Sequence, residues 1–267
     1  MKVLYTDVDG TLVGPRGHLF WTSDRELTLA AAEAVVRAAR EGLEIVAVSG
    51  RSRTTMAEFG RLLGLDSWFA EMGGVRVYQG GLEIAFDYGA YPDDGPPAAA
   101  MGKALEALAA CFPGRLEEHS PWNAIREVSL LLRGNLDVAK ANEVLAEAGF
   151  GWSELVDNGV LPRRYQSLPG IDLVRAYHLI PKGVTKAAAV AADRRRRGLA
   201  REECAMVGDA AADLECRTEV GRCFLVRNGL AKDPQLAWAL DPTSGVEVTA
   251  AGHTEGFAEV VTRLLER

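Results

Sequence analysis

The sequence predicts an α/β fold, a parallel-sheet core interrupted by an inserted α+β segment, and three observations carry that prediction. Three short apolar runs, at residues 3–6, 43–48 and 204–207, each end in polar residues beside a glycine. A helix-period segment lies between the first two runs, so the strands it joins are expected to be parallel. The 267 residues exceed one α/β layer and leave room for a second, smaller unit.

Residues 3–6 read as a buried strand that Gly10 ends where Asp7 and Asp9 emerge. Two residues apart on a strand, both carboxylates point to one side. Neighbouring anions need a cation between them or a shared proton. The pair suits a carboxylate nucleophile with an acid/base neighbour, or a hard metal ion with oxygen ligands. An acidic turn after a strand is the plainer alternative.

Next, Ser23-Asp24-Arg25-Glu26 reads as a capping box that opens a helix. Leu27, Ala31, Ala34, Val35 and Ala38 keep helical spacing behind it until Gly42. The strand at 43–48 ends in Ser49-Gly50-Arg51, and a second helix is expected over 54–63. Residues 75–78 and 82–86 flank Gln79-Gly80-Gly81, a hairpin signal. Tyr91-Pro92-Asp93-Asp94-Gly95-Pro96-Pro97 breaks both helix and strand and reads as a linker.

Beyond it the pattern gives a helix at 98–111, a strand at 125–132, a helix at 135–148 and strand-like pieces near Leu155 and Leu173. The core pattern resumes with a helix at 185–197, the strand at 204–207, a helix at 211–219 and a strand at 223–226. In an open parallel sheet, ligands bind at the carboxyl ends of the strands, where the polar residues of all three runs emerge.

Apolar content of 48% suffices for a substantial core, and the net charge of −7 argues against a nucleic-acid partner. No run approaches the roughly 18 apolar residues of a membrane span. With a strand at the amino terminus there is no room for a signal peptide, so a cytoplasmic location is expected. Cys111, Cys204, Cys216 and Cys223 lack metal-ligand spacing and read as reduced, small hydrophobes. Arg194 to Arg197 spread around a helix as a solvated face. His18, His119, His178 and His253 are scattered, and none is assigned a ligand role.

Four of these segments, in order from position 7 to 213, resemble the motifs of the haloacid dehalogenase superfamily. Asp7-Val8-Asp9-Gly10-Thr11 resembles the first, Asp-x-Asp-Gly-Thr, and Ser49-Gly50-Arg51 the second. Lys186, in Gly183-Val184-Thr185-Lys186, resembles the lysine of the third; the nearby Lys182 lacks that context. Gly208-Asp209-Ala210-Ala211-Ala212-Asp213 is similar to the fourth, Gly-Asp-x-x-x-Asp. The insertion between the second and third motifs resembles the cap of the type IIB, or Cof-like, subfamily.

The resemblance implies a Rossmann-like core of residues 1–86 and 182–267 with an α+β cap at 87–181. It implies a Mg²⁺-dependent phosphatase that hydrolyses a small phosphorylated metabolite, a sugar phosphate or phosphoglycerate derivative, through an aspartyl-phosphate. Asp7 would then be the nucleophile and Asp9 the general acid and base. Lys186, the Ser49 hydroxyl and the Gly50 amide would take the phosphate oxygens. Asp7, Asp209 and the backbone carbonyl of Asp9 would hold Mg²⁺, with Asp213 orienting bound water or Lys186 from behind.

Two positions depart from the pattern: Met72 stands in Glu71-Met72-Gly73-Gly74 where relatives carry asparagine, and Ala212 precedes Asp213 where Cof-like proteins often have asparagine. Arg163, Arg164 and Tyr165 could read a second anionic group from the cap, or form a solvated loop. The expected molecule is a monomer or homodimer. A phosphotransferase or phosphomutase on the same core, or a non-catalytic metabolite-binding protein, are the alternatives.

Overall fold

The computed structural model describes residues 1–161 and 164–266. In its amino-terminal third, β1 (Val3–Thr6) is followed by α1 (Ala30–Arg40), β2 (Glu44–Val48), α2 (Arg53–Leu63), β3 (Trp68–Ala70), β4 (Val75–Tyr78) and β5 (Glu83–Phe86). The middle third supplies α3 (Ala98–Cys111), β6 (Leu116–Glu118), β7 (Leu130–Gly134), α4 (Val138–Glu147), β8 (Ser153–Val160) and β9 (Arg175–Pro181). The last third runs α5 (Lys186–Arg196), β10 (Cys204–Gly208), α6 (Ala211–Leu214), β11 (Arg222–Leu225), α7 (Asn228–Lys232), β12 (Val246–Val248) and α8 (His253–Leu265).

Eight strands form one sheet in the order β12-β11-β10-β1-β2-β3-β4-β5. It is parallel from β12 to β3 and closes with the antiparallel β4 and β5 predicted as a hairpin. Thr6 lies level with Val207 and with Ala47, so the residues that follow all three strands emerge at one edge. Side chains alternate across a strand. Leu4 therefore packs on one face with Ala31 and Ala34 of α1 and Phe257 and Val260 of α8. Val3 and Tyr5 pack on the other with Ala189 and Val190 of α5.

The second sheet, β6-β7-β9-β8, is antiparallel and lies in the insertion. One of its faces is covered by α3 and α4, where Leu130, Leu132, Tyr177 and Leu179 meet Met101, Leu108, Ala141 and Leu145. The alternate residues Leu131 and His178, paired across β7 and β9, turn to the opposite face. Both line the cavity between the two sheets.

Several local expectations are corrected. Ser23 to Glu26 do not open a helix, because α1 starts at Ala30. Thr22 Oγ1 accepts from the amides of Asp24 and Glu26, and Arg25 has φ +66°, which no helix tolerates. The Ser23 hydroxyl bonds instead to His253 Nδ1 at 2.8 Å.

The strand expected at 125–132 begins at Leu130, because the amides of Glu127, Val128 and Ser129 donate to the Glu71 carboxylate rather than to a neighbouring strand. The helix expected from 135 starts at Val138, where Asp137 accepts from the amides of Ala139 and Lys140. The helix expected over 211–219 is α-helical only to Leu214 and tightens to 3₁₀ over Glu215–Thr218.

The basic run is not simply solvated, because Arg197 forks onto Glu44 and also bonds Asp193. Three cysteines are buried and Cys111 is exposed, all unpaired. Among the described residues, no helix is long and apolar enough to cross a membrane.

Candidate active site

The carboxyl edge of the large sheet places Asp7, directly after β1, beside Lys186, the first residue of α5. Thr185 caps that helix by accepting from the Ala188 amide at 3.0 Å, which fixes where Lys186 starts. Lys186 Nζ lies 2.5 Å from Asp7 Oδ1 and 2.7 Å from Asp213 Oδ1. All three side chains are buried. Asp213 is fully committed, since its Oδ2 accepts from the amides of Asp209 and Ala210. Asp209 Oδ2 in turn accepts from Lys232 at 3.0 Å. Carboxylate oxygens of Asp7, Asp209 and Asp213 lie within 4.8 Å of one another.

Gly10 is required in the turn that brings these groups together. Its φ is +92°, and a Cβ there would stand 2.4 Å from Asp209 Oδ2. Asn228 closes the same turn from α7 by donating to the Gly10 carbonyl at 2.8 Å.

Burial sets the electrostatics. It pushes the Asp7 carboxyl up to about 6, against the opposing pull of Lys186 and with help from Asp213 and Asp9. Burial alone would lower the Lys186 ammonium, but Asp213 and Asp7 prevail and hold it above the ordinary lysine value. Asp209 is raised by burial despite Lys232. The centre is therefore a packed set of carboxylates and ammonium groups.

Asp9 stands apart from this set. Its carboxylate is half exposed and forked by Arg51, with Nε to Oδ2 at 2.7 Å and Nη2 to Oδ1 at 2.6 Å. Ser49 is buried at the cavity wall, and its Oγ accepts from the Arg51 amide at 3.2 Å. Asp7, Asp9, Ser49, Gly50, Lys186, Asp209 and Asp213 all line one cavity of about 530 Å³. Met72 and Ala212, the two departures from the motif pattern, line it as well. Lys182 is exposed and lies away from the cavity.

Several residues of this cavity were not assigned from the sequence. Lys232 follows no motif read there, although Asn228-Gly229-Leu230-Ala231-Lys232 is the turn that delivers it. Arg126 and His178 come from the inserted segment, where a lone basic residue carries no recognisable spacing. Glu71 was quoted for its motif, and the structure shows what it touches. It is fully buried and accepts from the Glu127, Val128 and Ser129 amides and the Ser129 hydroxyl, joining core to insertion. Arg53 adds an ion pair to Glu127 at 2.7 Å. Of the basic cluster noted in the insertion, Arg163 lies outside the described residues. Arg164 pairs with Asp172 in solvent, and Tyr165 packs under Arg133.

No family model matches the chain. It is 27% identical to a phosphoglycolate phosphatase of Methanoculleus marisnigri over 268 residues, covering 98% of this chain and 96% of that one. Among solved structures it resembles the sucrose-phosphatase of Synechocystis, crystallised with sucrose and phosphate, at 17% identity and a TM-score of 0.65, covering 98% and 96% of the two chains. It also resembles a haloacid dehalogenase subclass IIB sugar phosphatase at 19% identity and a TM-score of 0.62, covering 99% of each. The chain therefore shares with these phosphatases a fold made of a parallel core and an antiparallel inserted sheet, and its ordered motifs resemble those of the haloacid dehalogenase superfamily.

Proposed function

We propose that the chain is a Mg²⁺-dependent phosphoric monoester hydrolase working through an aspartyl-phosphate, with phosphoglycolate as the first substrate to try. The observation that carries this reading is the buried Asp7–Lys186–Asp213 contact at the carboxyl edge of the sheet, with Asp209 beside it. The full-length likeness to a phosphoglycolate phosphatase supports the choice of substrate.

The donor set fits Mg²⁺: Asp7 and Asp209 offer hard oxygens, joined by the Asp9 backbone carbonyl. Asp213 has both oxygens already bonded and holds Lys186 in place. Among the described residues, the ion-pair partners of the three carboxylates are the ammonium groups of Lys186 and Lys232, so a phosphate dianion entering here calls for further positive charge. When bound, Mg²⁺ would screen that dianion and favour ionised Asp7.

An oxygen of Asp7 attacks phosphorus, and the bond from phosphorus to the ester oxygen breaks. Lys186 remains against the phosphoryl oxygens as their charge shifts. Asp9 gives its proton to the leaving alkoxide, then takes one from the water that attacks the aspartyl-phosphate. For that work Arg51 must release Asp9, and a phosphate oxygen is the natural competitor for its guanidinium.

Phosphate release from phosphoglycolate and a set of sugar phosphates, with Mg²⁺ or with EDTA, tests the reading. Metal-dependent release that disappears in Asp7→Asn supports it, and release surviving Asp7→Asn sinks it.

A further inference from the structure

The two halves of the cavity carry opposite chemistry. Every acidic residue that lines it comes from the core: Asp7, Asp9, Asp209 and Asp213. Among the described residues, the inserted sheet and its loops contribute no carboxylate; their polar lining residues are His119, Trp122, Arg126, Asn158 and His178, and of these Arg126 and His178 stand against Gly50 of the core.

Among the described residues, Arg126 donates to neutral acceptors alone: the Trp122 carbonyl at 3.1 Å, Ser129 Oγ at 2.8 Å and the Gly50 carbonyl at 2.9 Å. That leaves guanidinium N–H groups to spare. Burial works against its charge, and the nearest help is Glu71, one hydroxyl away through Ser129.

His178 is 1% exposed, and neither ring nitrogen has a hydrogen-bond partner among the described residues. A buried polar group without a partner costs free energy, and such an orphan in a cavity wall points to a ligand. Burial first, then Arg126 and Lys186, hold its imidazole neutral. Its Nε2 closely approaches Gly50, where an added Cβ would come within 2.7 Å.

We infer that Arg126 and His178 form a subsite for a carboxylate carried by the leaving group of the phosphate ester. The inference rests on the phosphatase reading and names the substrate class for it. A carboxylate would give the guanidinium the counter-ion it lacks and the imidazole its missing partner. The leaving group must be short, because Arg126 bonds Gly50, the neighbour of the phosphate-binding Ser49. Phosphoglycolate meets both conditions. A sugar phosphate has no charge to place against Arg126.

The test compares phosphoglycolate with ethyl phosphate, which has the same length and no carboxylate. The quantity read is the ratio of their kcat/KM values in the intact protein, in Arg126→Met and in His178→Phe. The expected result is a ratio that falls about tenfold or more in each variant. His178→Phe breaks no protein hydrogen bond. Arg126→Met also loosens the contact with Gly50, which slows both esters and leaves the ratio to report the carboxylate.

Equal losses for both esters, or an unchanged ratio, would overturn the inference. Calorimetric binding of the two esters to Asp7→Asn, with and without Arg126→Met, separates the two readings. Preferential binding of phosphoglycolate to Asp7→Asn, with no hydrolysis of either ester by the intact protein, keeps the subsite and removes the phosphatase. Hydrolysis without any preference removes the subsite alone.

Discussion

The floor and the ceiling of the cavity are both buried and both charged, yet only the floor is complete. On the floor each carboxylate of the Asp7–Asp209–Asp213 set has a partner, and Lys186 bonds two of them. On the ceiling, among the described residues, Arg126 bonds neutral oxygens alone, and neither ring nitrogen of His178 has a hydrogen-bond partner. Reaction chemistry common to any phosphate ester can be built in advance, whereas recognition of the rest of the molecule is finished by the molecule itself. Glu71 lies between the two, a core carboxylate whose bonds all go to the start of the inserted sheet.

The largest effect should come from the floor. Asp7→Asn should lower kcat by about 10⁴-fold or more if the nucleophile acts as proposed, measured as phosphate release under saturating substrate. Lys186→Met leaves Asp7 and Asp213 buried without their ammonium, and should cost about 3–5 kcal/mol in a urea titration. A cost below about 1 kcal/mol would mean that the carboxylates simply take up protons.

The joint between floor and ceiling comes next. Glu71→Gln keeps an acceptor but loses its charge, and should cost about 1.5–3 kcal/mol. KM for phosphoglycolate should rise with it, because Arg126 and Ser129 sit on the strand entry that Glu71 holds. A stability loss with no change in KM would show that the ceiling keeps its place without this clamp.

A smaller effect concerns pH in the metal-free protein. An acid whose folded value exceeds its unfolded value binds its proton more tightly when native, so stability falls as pH rises through that interval. For Asp7 the interval runs from 3.8 to about 6, and Asp209 is shifted in the same direction. Melting temperature in EDTA should therefore decline across this range, and Asp7→Asn should make the decline shallower. An identical slope in the variant would assign the titration elsewhere. Least of all should Arg164→Ala matter, since its pair with Asp172 is almost fully solvated. Any measurable shift in its melting temperature would give that loop a part in the ceiling.

Polar residues gathered at the carboxyl ends of the first parallel strands were legible in the sequence. Apolar runs that stop at Asp7, Ser49 and Asp209 specify buried strands with polar carboxyl ends, and parallel pairing brings those ends to one edge. Helices α2, α3 and α5 were legible for the same local reason, through spacing and their breakers. The segment at Ser23 misled because a capping box and a threonine-centred turn use the same residue types, and only Arg25's left-handed backbone separates them. The elements after residue 226 were not read at all, although β12 and α8 complete the sheet edge and one face of the core.

By itself the sequence determined the fold class, the order of the four motifs and the candidate floor of the cavity, because periodicity and chain breaks are local properties. The tertiary structure alone decided the rest. It set Lys232 on Asp209, tied Asp9 to Arg51, spent Glu71 on the backbone of the inserted segment, and turned Arg126 and His178 toward the floor. Those partners are separated by tens to hundreds of residues and obey no spacing rule. Their identity follows from which faces the two sheets bury and which they leave open to one another.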